Sequence, residues 1–483
     1  MKNRPPVVTI LGHVDHGKTT LLDYIRKSKL TEKEHGEITQ SIGAYEIKTD
    51  IKDYATNKIT FIDTPGHEAF SKLRSRGANI SDIALLIIDA KDSVMPQTEE
   101  SISHIKNAKI PFIVVLNKID LKDAKPEKVK ADLLKHDVIV EEKGGRVPCL
   151  NISAKKGTGV QELLESILLI SSELNLKYDE KNEPLAYIIE TKKDKRGTVI
   201  SSIIKDGQLN VGDVIYASGQ KTKIRSLYND LGDQIKTVIP SSPFEILGFS
   251  ELPEVGSIIS TSVKKKEENL KKESVIQKKA LTIDDLLNKN DVQKLNIIIK
   301  ADSKGSLEAI NASIQKKDNI EIVMQSIGSI HKSDVFLATS SKSIILGFNV
   351  SVESVAEELA KSEKVIIKNF NIIYELIDEL NEVSTLLQQK DLIAKDAKGE
   401  SIVLASFIIH DQLVYGVKVS KGKINLGDLI QVFRSDNLIG KSKLVSLQIR
   451  SKTVKEVKKG AEAGIMIFPH VDIKVGDMLK YSL

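Results

Sequence analysis

At 483 residues the chain is longer than a single core organises, and three to five domains are expected. Hydrophobic residues at 41% and charged residues at 28% form an ordinary globular balance, which excludes disorder over most of the length. A net charge of +5 permits an acidic or nucleic-acid partner without requiring one, and a single cysteine, Cys149, excludes an internal disulfide framework and a cysteine-cluster metal site.

In chain order, the apolar run 7–11 is too short for a signal-peptide core or a membrane span, and its continuation is glycine-rich and polar. A cytoplasmic chain without membrane contact is expected. Over residues 1–177, β-branched runs at 7–11, 59–62, 83–88, 112–116 and 147–152 alternate with helical spacing such as 99–107 and 126–136. That alternation predicts an α/β domain, a parallel sheet with helices on both faces. Residues 178–184 read as a linker. From 184 to 263, short strands broken by Asp206-Gly207, Asn229-Asp230 and Pro240 predict a β-barrel. Residues 264–290 read as a charged connector. Residues 291–370 mix strands (295–300, 344–348) with helical stretches (306–315, 352–361) and predict a second α/β domain. Ile373, Leu376, Ile377, Leu380, Val383, Leu386 and Leu387 step by threes and fours, so 371–389 predicts an amphipathic linking helix. It leads to a second all-β segment, 390–483.

An internal repeat relates the two β segments. Residues 207–215 (GQLNVGDVI) match 422–430 (GKINLGDLI), and each copy is followed later by a similar phrase, Val255-Gly256-Ser257-Ile258-Ile259 and Val475-Gly476-Asp477-Met478-Leu479. Two related barrels are expected.

Gly12-His13-Val14-Asp15-His16-Gly17-Lys18-Thr19 follows the first strand and opens a helix with Thr20-Leu21-Leu22, the full phosphate-loop pattern in its required context. Its glycines let the backbone wrap a phosphate, and successive N–H groups at a helix N-terminus supply positive potential. Lys18 reaches the β- and γ-phosphates, and the Thr19 hydroxyl binds magnesium. Asp63-Thr64-Pro65-Gly66-His67 ends the next strand. A carboxylate there lies beside the phosphate loop as an outer partner of magnesium, the Gly66 N–H meets a γ-phosphate, and His67 positions the attacking water. Asn117-Lys118-Ile119-Asp120 ends another strand. The Asp120 carboxylate accepts from both N1–H and the exocyclic amine of guanine, a donor pair adenine lacks. Ser153-Ala154-Lys155 ends the strand at 147–152, where its backbone reaches guanine O6. Any one of these short patterns is weak. Four in order at the C-terminal edge of one parallel sheet point to a GTPase binding GTP and GDP. Against these, Cys149 reads as a small core residue. Residues 301–306 lack the Gly-x-x-x-x-Gly-Lys spacing of a second phosphate loop and read as a turn capping a helix from Ser306.

With its two histidines, the stretch Gly12 to Thr19 resembles the translational GTPases, as do the Asp63–His67 and Asn117–Asp120 motifs. Ile38-Thr39-Gln40-Ser41-Ile42-Gly43-Ala44 is similar to the first switch loop of bacterial-type translation initiation factor 2, whose threonine at the place of Thr39 ligates magnesium in the GTP state. Here Gly36-Glu37 and Ser41 stand where the family carries two glycines and a histidine. The resemblance continues through 298–309, Ser333-Asp334-Val335, 345–350 and 372–378, nearly the whole chain, without the family's long N-terminal region. It implies a monomeric factor that places initiator aminoacyl-tRNA on the small ribosomal subunit, promotes joining of the large subunit and hydrolyses GTP on the ribosome. The family's pocket for formyl-methionine uses two cysteines and a basic-basic-aromatic run. At those places this chain has Val417, Ala463 and Gln448-Ile449-Arg450, while Glu462 is kept. Poor discrimination of the formyl group is expected, unless Lys441, Lys443 or Arg450 rebuild the pocket. Three other readings stand beside this one. One is another tRNA-delivering translational GTPase, such as a selenocysteine-specific elongation factor, against which the third domain and the switch loop argue. One is a P-loop ATPase or nucleotide kinase, against which Asn117 and Asp120 argue. The last is a non-hydrolysing ribosome-binding module, against which the complete motifs argue.

Overall fold

The strands Val7–Gly12 and Ile83–Asp89 are buried at every position and lie side by side within a six-stranded sheet. Its order is Gly43–Lys48, Lys58–Asp63, Val7–Gly12, Ile83–Asp89, Phe112–Asn117, Cys149–Asn151. All neighbours run parallel except Gly43–Lys48, which is antiparallel to Lys58–Asp63. Uninterrupted apolar strands need cover on both faces. Leu21, Leu22, Leu163 and Ile167, from the helices Lys18–Arg26 and Val160–Glu173, pack with Val8, Ile10 and Phe61. Ala78, Ile102, Ile105, Val129 and Leu133, from Ser71–Ile80, Pro96–Ala108 and Pro126–Leu134, pack with Leu86, Ile88 and Val114. This computed structural model describes all residues except 28–38, 53, 263–293, 316, 318, 396–397, 410–411, 435–436, 451 and 483. The charged stretch 264–290 and the switch-loop residues Gly36, Glu37 and Ile38 therefore lie outside the described residues.

Two further domains share a unit with the first. A β-barrel follows from Leu185–Asp194 to Ile258–Ile259, its six-stranded sheet carrying the hairpin of Leu185–Asp194 and Gly197–Asp206 toward one edge. A four-stranded parallel sheet comes next, ordered Ile320–Ile327, Leu295–Ala301, Ile344–Phe348, Ile367–Phe370 and covered by Lys304–Ile314, Lys332–Ser341 and Ser354–Glu363. One continuous core joins all three: Val7, Ile62 and Leu73 of the first domain pack with Ile189 and Ile203 of the barrel and with Ile297, Phe348, Ile373 and Leu376. Arg4 and Lys205 both pair with the largely covered carboxylate of Asp82 at 2.6 and 2.7 Å, tying the barrel to the first domain.

Leu380 closes this unit, and Asn381–Leu483 belongs to a second one. In the second, Gly399–Ile409, Met478–Ser482, Leu429–Arg434, Asn437–Ile449, Glu462–Phe468 and Gln412–Asn425 pair in a closed ring of six strands. Closure leaves no edge in that ring. The repeat is visible in its wiring. The Asn210 and Asn425 amides donate to Asp213 and Asp428 at 2.7 and 2.8 Å, and the Gly212 and Gly427 amides donate to the carbonyls of Ile224 and Leu444. Gly212 and Gly427 both have φ near +97°, a conformation that glycine adopts without Cβ strain.

Several elements differ from expectation. Tyr178 is not simply linker: Lys177–Tyr178 pairs with Lys2–Asn3. The strand expected at 147–152 is only Cys149–Asn151, because Val147 forms an isolated bridge to Val140. The helix expected from Ser306 begins at Lys304, since the Ser303 hydroxyl accepts from the Ser306 amide and caps it. The linking helix runs Ile373–Lys395, beyond the expected 389, so strands resume at Gly399. Ile320–Ile327, Lys332–Ser341 and Ile367–Phe370 are additional elements.

Candidate guanine-nucleotide site

The four motifs stand at the C-terminal ends of adjacent strands. The phosphate loop leaves Gly12 at φ +149°, where an added Cβ would lie 2.3 Å from the Ile87 carbonyl, and enters the helix Lys18–Arg26 through Gly17 at φ +87°. Against Gly17 lies Asn117, whose amide donates to the His16 carbonyl at 2.9 Å and accepts from the Ala154 N–H at 2.9 Å. Asn117 is thus a strut joining the phosphate loop to both base-side motifs. Ile119 donates its amide to the Ile152 carbonyl, and Lys118 pairs with Asp89 at 2.7 Å. The Ser153 hydroxyl donates to Asp120 at 2.8 Å and holds that carboxyl below the usual carboxylate range. Lys155 is exposed.

Around the phosphate loop is a cavity of about 350 Å³ lined by Asp15, Lys18, Thr19, Thr39, Gly66, His67 and Lys118, among others. Lys18 is 6% exposed, and its ammonium donates to the Gly12 and His13 carbonyls at 3.1 and 2.6 Å. Burial lowers the Lys18 ammonium and raises the Asp63 carboxyl, while their mutual attraction opposes both shifts. The Thr19 and Thr39 hydroxyls are 2.7 Å apart, and Thr39 donates to Asp63 Oδ2 at 3.4 Å. Asp63 Oδ1 is buried with no protein partner. Two hydroxyls and a carboxylate meeting there, with the second carboxylate oxygen, Oδ1, unsatisfied, fit a hard divalent cation such as magnesium. His13 and His16 meet edge to face at 5.1 Å. His16 is 1% exposed and burial lowers it to about 4, so its side chain is a neutral support beneath the loop.

His67 begins the short 3-10 turn Glu68–Phe70, and its Nδ1 accepts from the Ala69 N–H at 3.0 Å. A ring nitrogen that accepts carries no proton, so the neutral ring is protonated at Nε2. Burial lowers the imidazole below its usual range and keeps it neutral.

Sequence reasoning missed five contributors. Gln97 accepts from the Val14 amide at 3.0 Å. Arg74 donates to the carbonyls of the 65–67 turn. Ile373 and Tyr374, at the start of the linking helix, line the same cavity, and Tyr374 lies edge-on to His67. Gln40 fixes that helix end by accepting from the Ile373 N–H and donating to the Asn371 carbonyl, both at 2.8 Å. A polar side chain following Thr39 and an aromatic opening an amphipathic helix were the available signals.

In the second unit, Val417 and Ala463 are direct cross-strand partners, both buried in the barrel core. Gln448 faces Gly464 on the next strand and is exposed, as is Arg450, while Ile449 packs partly on the core. Glu462 pairs in register with Lys418, and both are exposed. Lys441 and Lys443 are exposed as well. Among the described residues, no helix is long and apolar enough to cross a membrane.

Residues 3–172 match the elongation factor Tu GTP binding domain, 183–262 elongation factor G domain 2, and 267–381 translation-initiation factor 2. Translation initiation factor IF-2 of Thermoanaerobacter sp. is 42% identical over 99% of this chain and 71% of its own length. The IF-2 proteins of Halothermothrix orenii and Thermosipho africanus are each 40% identical, over 99% and 100% of this chain and 71% of their own lengths. Among solved structures, GDP-bound aIF5B from Aeropyrum pernix is 25% identical, covering 99% of this chain and 92% of that one with a TM-score of 0.48. Identity and coverage of this order show that the chain belongs to the IF-2 family of translation initiation factors, and that it carries their GTP-binding, GTPase domain.

Proposed function

We propose that the cavity beside Lys18 is where this initiation factor binds GTP with magnesium and cleaves it on the ribosome. The observation that carries the reading is the meeting of the Thr19, Thr39 and Asp63 oxygens next to Lys18, with Asp63 Oδ1 unsatisfied. Thr19 and Thr39 would hold the ion, with Asp63 behind them, and a bound magnesium neutralises charge on the β- and γ-phosphates. Lys18 exchanges its two carbonyl contacts for phosphate oxygens. The loop amides around Gly12, His13, Val14, Asp15, His16 and Gly17 face the same anion. Asp120 reads the guanine edge, with Asn117, Lys118, Ile119, Ser153, Ala154 and Lys155 forming its surroundings. Gly66 faces the γ-phosphate, with Thr64 and Pro65 carrying the turn. His67, protonated at Nε2 and unprotonated at the occupied Nδ1, donates to the attacking water and orients it. In this arrangement it does not act as a general base through Nε2.

The family supports a factor that works with the ribosome and initiator tRNA, and the closed barrel 390–483 is the proposed seat for the tRNA acceptor end. Titration with GTP, GDP and ATP, with and without magnesium, tests the site. GTP and GDP should bind, magnesium should tighten GTP, and ATP should not compete; equal affinity for ATP overturns the assignment. Hydrolysis timed with and without ribosomes tests the rest, and a ribosome-independent rate would remove that part of the proposal.

A further inference from the structure

Arg74 has a fully buried side chain, in the first turn of the helix Ser71–Ile80. Its Nη1 donates to the Pro65 and Gly66 carbonyls, both at 3.0 Å, and also to the His67 carbonyl. Three successive carbonyls of one turn therefore converge on one nitrogen. Nη2 donates to Glu100 Oε2 at 2.6 Å, across to the helix Pro96–Ala108. Burial would raise the Glu100 carboxyl, but hydrogen bonds from His104 and Ser71 and the Arg74 charge hold it down to about 2. Glu100 is an ionised counter-ion at neutral pH.

A trans peptide is planar, with its C=O and the following N–H pointing in opposite directions. Drawing the Pro65 carbonyl onto Arg74 therefore turns the Gly66 N–H away from Arg74. The Gly66 and His67 carbonyls fix the His67 and Glu68 amides in the same way. On the other side the turn is pressed against the phosphate loop: a Cβ on Gly66 would lie 2.6 Å from Lys18 Nζ and 3.0 Å from the Val14 nitrogen. The turn is held from behind by one guanidinium and faces the cavity that Gly66 and His67 line. The Arg74 charge is also felt at the Lys18 ammonium and at the His67 imidazole, although its hydrogen bonds go to backbone carbonyls and to Glu100.

We propose that Arg74, braced by Glu100, is a positioning residue for GTP hydrolysis: it aims the Gly66 amide and the His67 ring at the γ-phosphate without touching nucleotide. This rests on the reading of the cavity as the GTPase site. GDP lacks the γ-phosphate, so its binding does not depend on the aim of this turn.

The test compares the full-length wild type with Arg74→Lys, Glu100→Gln and His67→Ala, and with the Arg74→Lys/His67→Ala double variant. GDP affinity and ribosome-stimulated hydrolysis at saturating GTP are measured for each. Arg74→Lys keeps the charge but not the fork, and should keep GDP affinity within about threefold while lowering kcat by roughly tenfold or more. Adding it to His67→Ala should cost less than the two single losses combined, since the part of its effect that runs through the His67 ring is already gone and only the part through the Gly66 amide remains. Glu100→Gln, which leaves the guanidinium in place, should lower kcat by a smaller factor with GDP affinity kept, and it carries the test if Arg74→Lys does not fold. A wild-type kcat in both single variants, parallel loss of GDP and GTP binding, or full additivity with His67→Ala overturns the proposal. An inactive wild type would instead overturn the reading of the site.

Discussion

The His67 imidazole meets the Tyr374 ring edge-on, with centroids 4.4 Å apart and planes at 75°. His67 follows the strand Lys58–Asp63, whereas Tyr374 opens the linking helix, whose first turn Gln40 also grips. Two residues beside the proposed γ-phosphate site thus both hold the start of one helix. Burial lowers the imidazole because a charged ring loses hydration. Truncating Tyr374 to Ala exposes the ring and favours its charged form, so the His67 midpoint should rise toward the usual imidazole value. Tyr374→Phe, which keeps the ring, should leave it nearly unchanged. An NMR titration of the His67 ring protons reads this directly; a midpoint that stays or falls in Tyr374→Ala contradicts the account.

Removing the imidazole itself separates chemistry from binding. His67→Ala should leave GTP affinity near that of the wild type and slow ribosome-stimulated hydrolysis by about two orders of magnitude or more, the range for a positioned catalytic group. Single-turnover hydrolysis on ribosomes measures it. A wild-type rate would remove His67 from the mechanism.

Base choice is assigned to Asp120, whose Oδ1 accepts from Ser153 at 2.8 Å and whose Oδ2 lies 3.6 Å from the Lys156 ammonium. Asp120→Asn replaces an acceptor of two donors with a mixed amide. GTP affinity should fall roughly tenfold or more, and xanthosine triphosphate, whose 2-oxo group accepts from the new amide, should gain. Competition binding with both nucleotides decides it, and an unchanged preference would refute the role.

Glu190, on the barrel strand Leu185–Asp194, is buried against the third domain and accepts from the Gly305 amide at 3.2 Å and the Ser303 hydroxyl at 3.2 Å. Burial pushes its carboxyl up to about 7. Because the folded value lies above the ordinary one, the protonated form favours folding. That contribution is full below about pH 4.5 and is lost as pH rises toward 7. Glu190→Gln should therefore raise the apparent Tm at pH 8, by the equivalent of about 1–3 kcal/mol. It should change little at pH 4.5. Thermal melts at the two pH values test it, and a loss at pH 8 would show that the ionised carboxylate is stabilising.

The nucleotide motifs were legible because each closes a continuous apolar strand with glycine or a short polar turn, and strand order brings such ends together. Gln97 and Tyr374 were not legible as site residues, since each acts on a segment distant in sequence, and Arg74, though close in sequence to the turn it holds, makes a contact that no local pattern encodes. The helix Lys332–Ser341 was missed because it lacks a clean apolar stripe: Val335 and Ala338 are buried while Phe336 is 51% exposed. Ile320–Ile327 and Ile367–Phe370 lie at the two edges of their sheet, and exposed positions there dilute the apolar signal. The helix start moved from Ser306 to Lys304 because the Ser303 hydroxyl, within the turn 301–306, lies just outside the first helical turn and accepts from the orphan Ser306 amide.

The tRNA end carries the last prediction. Val417 and Ala463 stand opposite each other across Gln412–Asn425 and Glu462–Phe468, and both side chains are buried in the barrel core. Neither donates or accepts a hydrogen bond through its side chain, where the resembling family carries cysteines. Gln448 and Arg450 are exposed, so they do not share that buried environment. An apolar interior pair cannot discriminate a formyl oxygen by hydrogen bonding. Each missing polar contact is worth about 0.5–1.5 kcal/mol net, so two or three together remove roughly tenfold or more of discrimination. The chain should protect initiator tRNA carrying formylated and unformylated methionine from deacylation with affinities within about tenfold of each other. Val417→Cys together with Ala463→Cys should widen that ratio. Protection assays on both charged tRNAs measure it, and a hundredfold preference of the unaltered chain for the formylated form would show that the pocket has been rebuilt from other residues.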